Sequence, residues 1–135
     1  MRRYLVSGFL ALLLAGVGLP AALPVGAQEA ITVELAPVGG SGISGQATVQ
    51  PMDGQTMVVI TLQGLEPNSR HAAHVHGGSC GGSVMYPLTV VVADAEGNGT
   101  STSMVAATPD ASWWIQVHRA ESPPGPGIAC GQVPS

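Results

Sequence analysis

The sequence predicts an all-β domain, an antiparallel sandwich or barrel of about eight short strands. Two observations carry this prediction: short runs of alternating or β-branched side chains recur along the chain, and turn residues separate them at close intervals. A third is that no segment after residue 27 has a convincing helical period. We expect strands at residues 31–35, 43–49, 56–62, 72–76, 88–93, 100–105, 113–118 and 128–133.

The first three predicted strands follow one another through tight turns. Residues 31–35 alternate between apolar and polar, and Gly39-Gly40-Ser41-Gly42 marks the turn that follows them. A second extended run, 43–49, leads to Asp53-Gly54, which is a hairpin signal. The next run, 56–62, contains too many β-branched residues for a good helix and is therefore predicted to be a strand.

The later strands are predicted from the same signals. Residues 72–76 follow the turn sequence Glu66-Pro67-Asn68-Ser69, and Glu96-Gly97-Asn98-Gly99 predicts a hairpin between residues 88–93 and 100–105. The last two extended pieces are residues 113–118 and 128–133. The sequence shows no internal repeat, and its glycine-rich and proline-rich stretches are predicted to be loops within one domain.

The N-terminal segment, Met1–Ala27, is predicted to be a secretory signal. It begins with two arginines, continues through an apolar run at residues 5–19, and ends in the small-x-small pattern Val25-Gly26-Ala27. A membrane anchor is the alternative, but Pro20 and Pro24 interrupt the apolar run, which is shorter than the roughly 20 residues needed to span a bilayer. We therefore expect export to the periplasm, the cell envelope or the extracellular space, with no membrane span after cleavage.

The remaining domain, residues 28–135, is small and acidic. It contains two arginines, no lysine and eight acidic residues, a formal charge of −6. Nucleic acid is an unsuitable partner because the domain lacks a basic patch for phosphate. An exported chain of this size with two cysteines predicts a disulfide between Cys80 and Cys130. Metal ligation by the cysteines is the alternative, but they lack the close pairing of a zinc knuckle.

Four histidines carry the candidate chemistry. Alternation places His74 and His76 on one face of their predicted strand, and it places His118 on the opposite face from Ile115 and Val117. Both strands therefore present histidine away from the packed side, and a three-imidazole cluster suited to copper or zinc forms if the strands are neighbours. His71 is an odd number of residues from His74, so alternation places it on the other face of the strand if the strand extends that far. The alternative for all the histidines is a solvated strand face that binds no metal.

Three segments of the chain resemble copper/zinc superoxide dismutases. The run Gly64-Leu65-Glu66-Pro67 leading into His71-Ala72-Ala73-His74-Val75-His76 and Cys80 is similar to their G-L-x-P turn, H-x-x-H-x-H motif and cysteine. Val117-His118 and Ile128-Ala129-Cys130-Gly131 resemble their late V-H and L-A-C-G. The resemblance implies a Greek-key β-sandwich, a Cys80–Cys130 disulfide and one copper ion held by His74, His76 and His118. His71 would be an additional ligand or a residue that supports the ligands.

The sequence also departs from that family. The long loop that carries the family's remaining zinc ligands is replaced by Gly81-Gly82-Ser83-Val84-Met85-Tyr86-Pro87, so no family-type zinc site is expected. The arginine that precedes the family's second cysteine is absent, because residues 123–127 contain only proline and glycine. Met85 or Tyr86 could fill a fourth copper position, or both could simply pack.

Chordin-type (CHRD) domains are a second resemblance. They carry an A-H-x-H-x-G run, as at Ala73–Gly78, and a late aromatic-rich run that ends in V-H, as at Trp114–His118. Three functions follow from the two resemblances. The first is an exported copper-binding protein with weak superoxide dismutation, whose partner is superoxide. The second is non-catalytic copper storage or delivery with a copper-exchanging partner, and the third is a metal-free structural or binding module.

Overall fold

The computed structural model of the protein describes residues 15–20 and 28–135. The predicted signal segment at Met1–Ala27 lies for the most part outside these residues. Within the described ranges, the structure contains no α-helix long and apolar enough to cross a lipid bilayer.

Eight strands make up the domain, and each of them overlaps one of the strands predicted from the sequence. They are β1 (Ile31–Pro37), β2 (Ser44–Met52), β3 (Gln55–Gln63), β4 (Arg70–Gly77), β5 (Ser83–Ala93), β6 (Gly99–Val105), β7 (Trp113–His118) and β8 (Gly127–Gln132). The strands pair antiparallel throughout and close into a barrel in the order β1-β2-β3-β6-β5-β4-β7-β8. The predicted all-β fold is confirmed.

The connectivity of the barrel is of the Greek-key kind. Strands β4, β5 and β6 form a meander, β7 returns to lie beside β4, and β3 lies beside β6. This arrangement makes β4 and β7 direct neighbours although 35 residues separate their ends in the chain. The two strands that carry the candidate histidines therefore form one continuous part of the sheet.

The core fills the interior of the barrel with side chains from alternate strand positions. Along β3, for example, Thr56, Val58, Ile60 and Leu62 are buried and the residues between them are not. Trp113 is 1% exposed and is the largest of the fully buried side chains, whereas Trp114 is half-buried on the other face. Alternation therefore predicts correctly which of the two tryptophans enters the core.

Strand β5 is the element that differs most from its prediction. It begins at Ser83, whereas the sequence predicts a loop through Pro87. The pairing of β4 with β5 is irregular between Val75 and His76, where Met85 is the extra residue. A bulge accommodates one extra residue while the strand pairing continues on both sides of it. The strand therefore continues through Pro87.

Candidate metal centre

Strands β4 and β7 bring three histidines together on the outer face of the barrel. The register pairs His74 with Gln116 and His76 with Trp114, while Ala73 lies opposite Val117. His118 is therefore a diagonal neighbour of His74 across the ladder, within the reach of side chains on one face. The inward side chains between them, Val75 and Val117, are fully buried in the core.

The three imidazole rings form a compact cluster. Ring centroids are 4.9 Å apart for His74 and His118, 5.5 Å for His76 and His118, and 5.7 Å for His74 and His76. One ring nitrogen from each residue lies within 4.8 Å of the nitrogens from the other two. The structure thus brings together three of the four histidines that the sequence singles out.

The cluster is more enclosed than strand alternation predicts. His76 is 5% exposed and His118 is 8% exposed, although both point away from the barrel interior. Two loops cover this outer face: the cysteine loop, residues 78–82, and the β7–β8 loop, residues 119–126. A period-two pattern reports only the face of the sheet, so it cannot predict that connecting loops fold over it.

Each of these loops contributes one backbone carbonyl that orients a ring. His76 Nδ1 lies 2.7 Å from the Gly82 carbonyl oxygen, and His118 Nδ1 lies 2.9 Å from the Gly125 carbonyl oxygen. A carbonyl only accepts, so both Nδ1 atoms donate their proton, and in the neutral form of each ring the Nε2 atom then keeps a lone pair. Metal-binding histidines are characteristically fixed in this way.

The two Nε2 atoms face each other at 3.3 Å. In the neutral tautomers fixed by the carbonyls, neither of them has a proton to donate, so the contact brings two lone pairs together. A cation close to both nitrogens removes this repulsion. Two nitrogens bound at about 2.0 Å to one ion with tetrahedral angles lie about 3.3 Å apart, so this spacing suits a shared metal ion.

His74 supplies the third nitrogen. Its Nδ1 atom is buried and has no hydrogen-bond partner among the described residues. Burial lowers the pKa of the His74 imidazole below its ordinary value of 6.5, and the nearby His118 and His76 rings lower it further. The neutral imidazole is the form that binds a metal, and a buried nitrogen with no protein partner is a group that a metal ion would satisfy.

His71 lies outside the cluster and is hydrogen-bonded to the backbone of His118. Its Nδ1 donates to the backbone carbonyl of His118 across 2.8 Å, and its Nε2 is 2.8 Å from the Ser69 hydroxyl. Both ring nitrogens therefore already have protein partners, and the residue is buried. Its position fits the supporting role that we considered for it rather than that of an additional ligand.

The predicted disulfide is present and lies next to the cluster. Cys80, in the cysteine loop, is bonded to Cys130 in β8, at a sequence separation of 50. Gly82 follows two residues later and provides the carbonyl that receives the His76 proton. The disulfide thus ties the supporting loop of one histidine to the barrel, and it leaves no cysteine available to a metal.

The residues suggested for a fourth metal position lie elsewhere. Tyr86 packs against Trp113, with ring centroids 5.3 Å apart, and joins the core. The Met85 sulfur lies 3.0 Å from the position that a Cβ on Gly77 would occupy. Because neighbouring residues of a strand point to opposite faces, Met85 lies on the opposite side of β4 from the His76 ring. On the histidine side, the cross-strand neighbours of His76 are Trp114 and Val84.

The backbone groups that hold the rings are the part of the site that sequence analysis missed. The carbonyls of Gly82 and Gly125 carry no side-chain signal. Their loops do have one: the glycine pair Gly81-Gly82 and the run of proline and glycine at 123–127 mark segments that can approach the sheet closely. That signal predicts a tight loop but not which nitrogen it will contact.

Neither the family models nor the curated proteins include a match to the chain. The interpretation of the site therefore rests on its own geometry.

Proposed function

We propose that the protein binds one copper ion through His74, His76 and His118. The observation that carries the proposal is the cluster itself, in which two nitrogens are oriented by backbone carbonyls and a third is buried without a protein partner among the described residues. Three imidazoles leave one coordination position for water or a small ligand, a pattern that also occurs in catalytic zinc sites. Copper is favoured because a given nitrogen site binds Cu(II) more tightly than Zn(II).

The proposed reaction is slow dismutation of superoxide. A copper ion held by the three histidines would supply a one-electron couple, Cu(II)/Cu(I), for the conversion of two superoxide anions and two protons into O2 and H2O2. The half-buried His74 is the most accessible of the three ligands, so it marks the side from which a small anion approaches. Protons come from solvent, because no further histidine stands beside the cluster: His71 is engaged by Ser69 and the His118 carbonyl.

Charge favours a second candidate, copper storage or delivery without catalysis. The domain carries a formal charge of −6. Of its two arginines, Arg70 is paired with Glu121, with its Nε 2.6 Å from the carboxylate. Such a domain repels an anionic substrate and attracts cations, including metal ions. A copper-exchanging partner would then replace superoxide as the natural ligand of the site.

We place the protein in an oxidising compartment outside the cytoplasm. The Cys80–Cys130 disulfide supports this placement, because structural disulfides persist in exported proteins. The apolar N-terminal segment read as a signal supports it as well.

Metal loading followed by a superoxide-decay assay tests the proposal. The purified protein is incubated with equal amounts of Cu(II) and Zn(II), excess metal is removed, and the bound metals are counted by elemental analysis. We expect one copper per chain and little zinc. Accelerated superoxide decay by this sample supports catalysis, and retained copper without acceleration supports storage or delivery.

The matched variants are His118→Ala, which removes a ligand, and His71→Ala, which removes a support. We expect His118→Ala to abolish stoichiometric copper binding, and we expect His71→Ala to retain copper with about 10- to 100-fold weaker affinity. Undiminished copper binding in His118→Ala would show that the ion sits elsewhere.

A further inference from the structure

The methionines of the domain have an uneven distribution. Residues 28–135 contain four, of which Met52 lies on β2, Met57 on β3 and Met104 on β6. Alternation directs all three away from the core, since their chain neighbours Pro51, Thr56, Val58, Ser103 and Val105 are buried. The fourth, Met85, lies on β5.

The register of the sheet makes neighbours of the three outward methionines. Met57 lies directly opposite Met104 on the adjacent strand. Met52 lies opposite Gln55, so it is a diagonal neighbour of Met57 on the same face. Side chains opposite each other have Cβ atoms about 5 Å apart, and diagonal ones remain within the reach of long side chains. We call these three residues the methionine patch.

The patch is open to solvent, which is unusual for methionine. Met104 is 54% exposed, Met52 is 40% exposed and Met57 is half-buried. Methionine belongs among the residues most often buried, and its unbranched side chain adapts to whatever it contacts. Three flexible thioethers that share one accessible surface are a set of soft donors, with Met57 between the other two in the sheet.

The strand residues around the patch are uncharged, and the patch is far from the histidines in the sheet. The outward neighbours across the ladders, Gln50, Gln55, Val59 and Thr102, are neutral, and one carboxylate, the exposed Asp53 in the hairpin turn, directly follows Met52. Strands β5 and β6 separate β3 from β4 in the barrel order, so the patch occupies a different part of the barrel wall from the histidine cluster. Thioether sulfur is a neutral, soft donor that suits a soft monovalent ion and suits Zn(II) or Ca(II) poorly.

We propose that the methionine patch is a second metal site, which binds Cu(I) through the thioethers of Met52, Met57 and Met104. Soft thioether ligands select Cu(I), whereas imidazole accepts Cu(II) and several other ions. The two sites of the protein thus differ in ligand chemistry and in the oxidation state that they prefer. This site stands independently of the proposed histidine centre.

Methionine-methyl NMR tests the site residue by residue. The protein is labelled with 13C at the methionine methyl groups and titrated with Ag(I), a monovalent, diamagnetic and redox-inert substitute for Cu(I). We expect the methyl signals of Met52, Met57 and Met104 to shift together and saturate at one equivalent, while the Met85 signal stays in place. Unshifted signals for the three, or an equal shift of Met85, would overturn the proposal.

A chelator competition without oxygen measures the affinity. Cu(I) is supplied as its acetonitrile complex, so that no reductant reaches the disulfide, against a chromophoric Cu(I) chelator. We expect the double variant Met57→Leu/Met104→Leu to lose one Cu(I) equivalent relative to the wild type, and Met85→Leu, the matched control, to lose none. Equal Cu(I) binding by the double variant and the wild type would refute the site.

The histidine variant His74→Ala/His76→Ala/His118→Ala separates the two proposals. It should keep the Ag(I)-induced methyl shifts, because its methionine patch is intact. Loss of these shifts in that variant would show that the methionines depend on the histidine centre and do not form a site of their own.

Discussion

The three histidine rings are held in two different ways. His76 and His118 each give the Nδ1 proton to a loop carbonyl and turn Nε2 toward the other ring. His74 has no such carbonyl, and its Nδ1 remains without a partner among the described residues. The cluster therefore combines two rings oriented by loop carbonyls with a third whose Nδ1 has no protein partner among the described residues.

The lowered pKa of His74 predicts a pH dependence of stability for the metal-free protein. The unfolded chain binds the His74 proton at a higher pH than the folded chain does, so the free energy of unfolding falls as the pH drops below about 6.5. This is checked by urea unfolding of the wild type and His74→Gln at neutral pH and at a mildly acidic pH at which the carboxylates are still ionised. The wild type should lose more stability on acidification than His74→Gln. An equal loss would assign the titration to another group.

Residue-level prediction from sequence succeeded where a local rule applies. The shared face of His74 and His76 follows from alternation within one strand, and the inward position of Trp113 follows from the same rule. The carbonyl partners of His76 and His118 could not be predicted, because the path of a covering loop depends on the whole fold. Burial of these two rings was missed for the same reason.

The cysteine loop is the element on which the His76 orientation depends. Gly82 in this loop has no room for a side chain, because a Cβ there would overlap the Gly77 carbonyl oxygen. Gly81, its neighbour, has nothing within 4 Å of an added Cβ. Two adjacent glycines therefore offer a matched test of the loop.

We expect Gly82→Ala to displace the loop and its carbonyl from His76 Nδ1, and so to weaken copper affinity by about 10- to 100-fold, the usual effect of losing a group that orients a ligand. Gly81→Ala should bind copper like the wild type. Competition with a Cu(II) chelator measures both. Equal affinities for the two variants would mean that the Gly82 carbonyl does not orient the ligand.

Prediction of the elements was good where turn signals are strong and weaker where glycine and proline lie inside a strand. The turn at Asp53-Gly54 connects β2 to β3 as expected, with a positive φ at both residues. The start of β5 was missed because Gly81, Gly82 and Pro87 all favour a loop. Cross-strand pairing with β4 overrides those local preferences, and the bulge near His76 accommodates the irregular sequence.

At the scale of the whole molecule, the disulfide is expected to stabilise the barrel and the site together. In the chain-entropy account, a bond that closes a loop of 50 residues stabilises the fold by on the order of 4 kcal/mol. The double variant Cys80→Ser/Cys130→Ser should therefore melt well below the wild type. It should also bind copper more weakly, because the cysteine loop loses its attachment to β8.

Thermal melts with and without reductant measure this effect. Reductant should lower the melting temperature of the wild type toward that of the double variant, and it should leave the double variant unchanged. If complete reduction does not change the melting temperature of the wild type, the disulfide does not stabilise the fold.

Net charge predicts how superoxide decay responds to salt. An acidic domain repels the superoxide anion, and dissolved ions screen this repulsion over a Debye length. If the copper-loaded protein accelerates superoxide decay, the rate constant should rise with ionic strength. A rate constant that falls with ionic strength would contradict this prediction, because it would show that a local positive potential near the site attracts superoxide despite the negative net charge.

The architecture as a whole could be predicted only in part. The two-residue period and the turn residues predict eight strands and an all-β fold. They do not predict that β4 and β7 are neighbours, so the sequence predicts the histidine cluster only if those two strands are adjacent. Strand order depends on contacts between residues far apart in sequence, which local patterns do not encode. The register of β4 with β7 then fixes which of the four histidines meet.

The EPR spectrum of the Cu(II)-loaded protein, recorded beside that of His74→Ala/His76→Ala/His118→Ala, tests the central claim most directly. We predict one tightly bound Cu(II) per chain with hyperfine coupling to three imidazole nitrogens in the wild type, and no such signal in the triple variant. The same spectrum from both proteins, or the absence of nitrogen coupling in the wild type, would contradict a three-histidine copper centre.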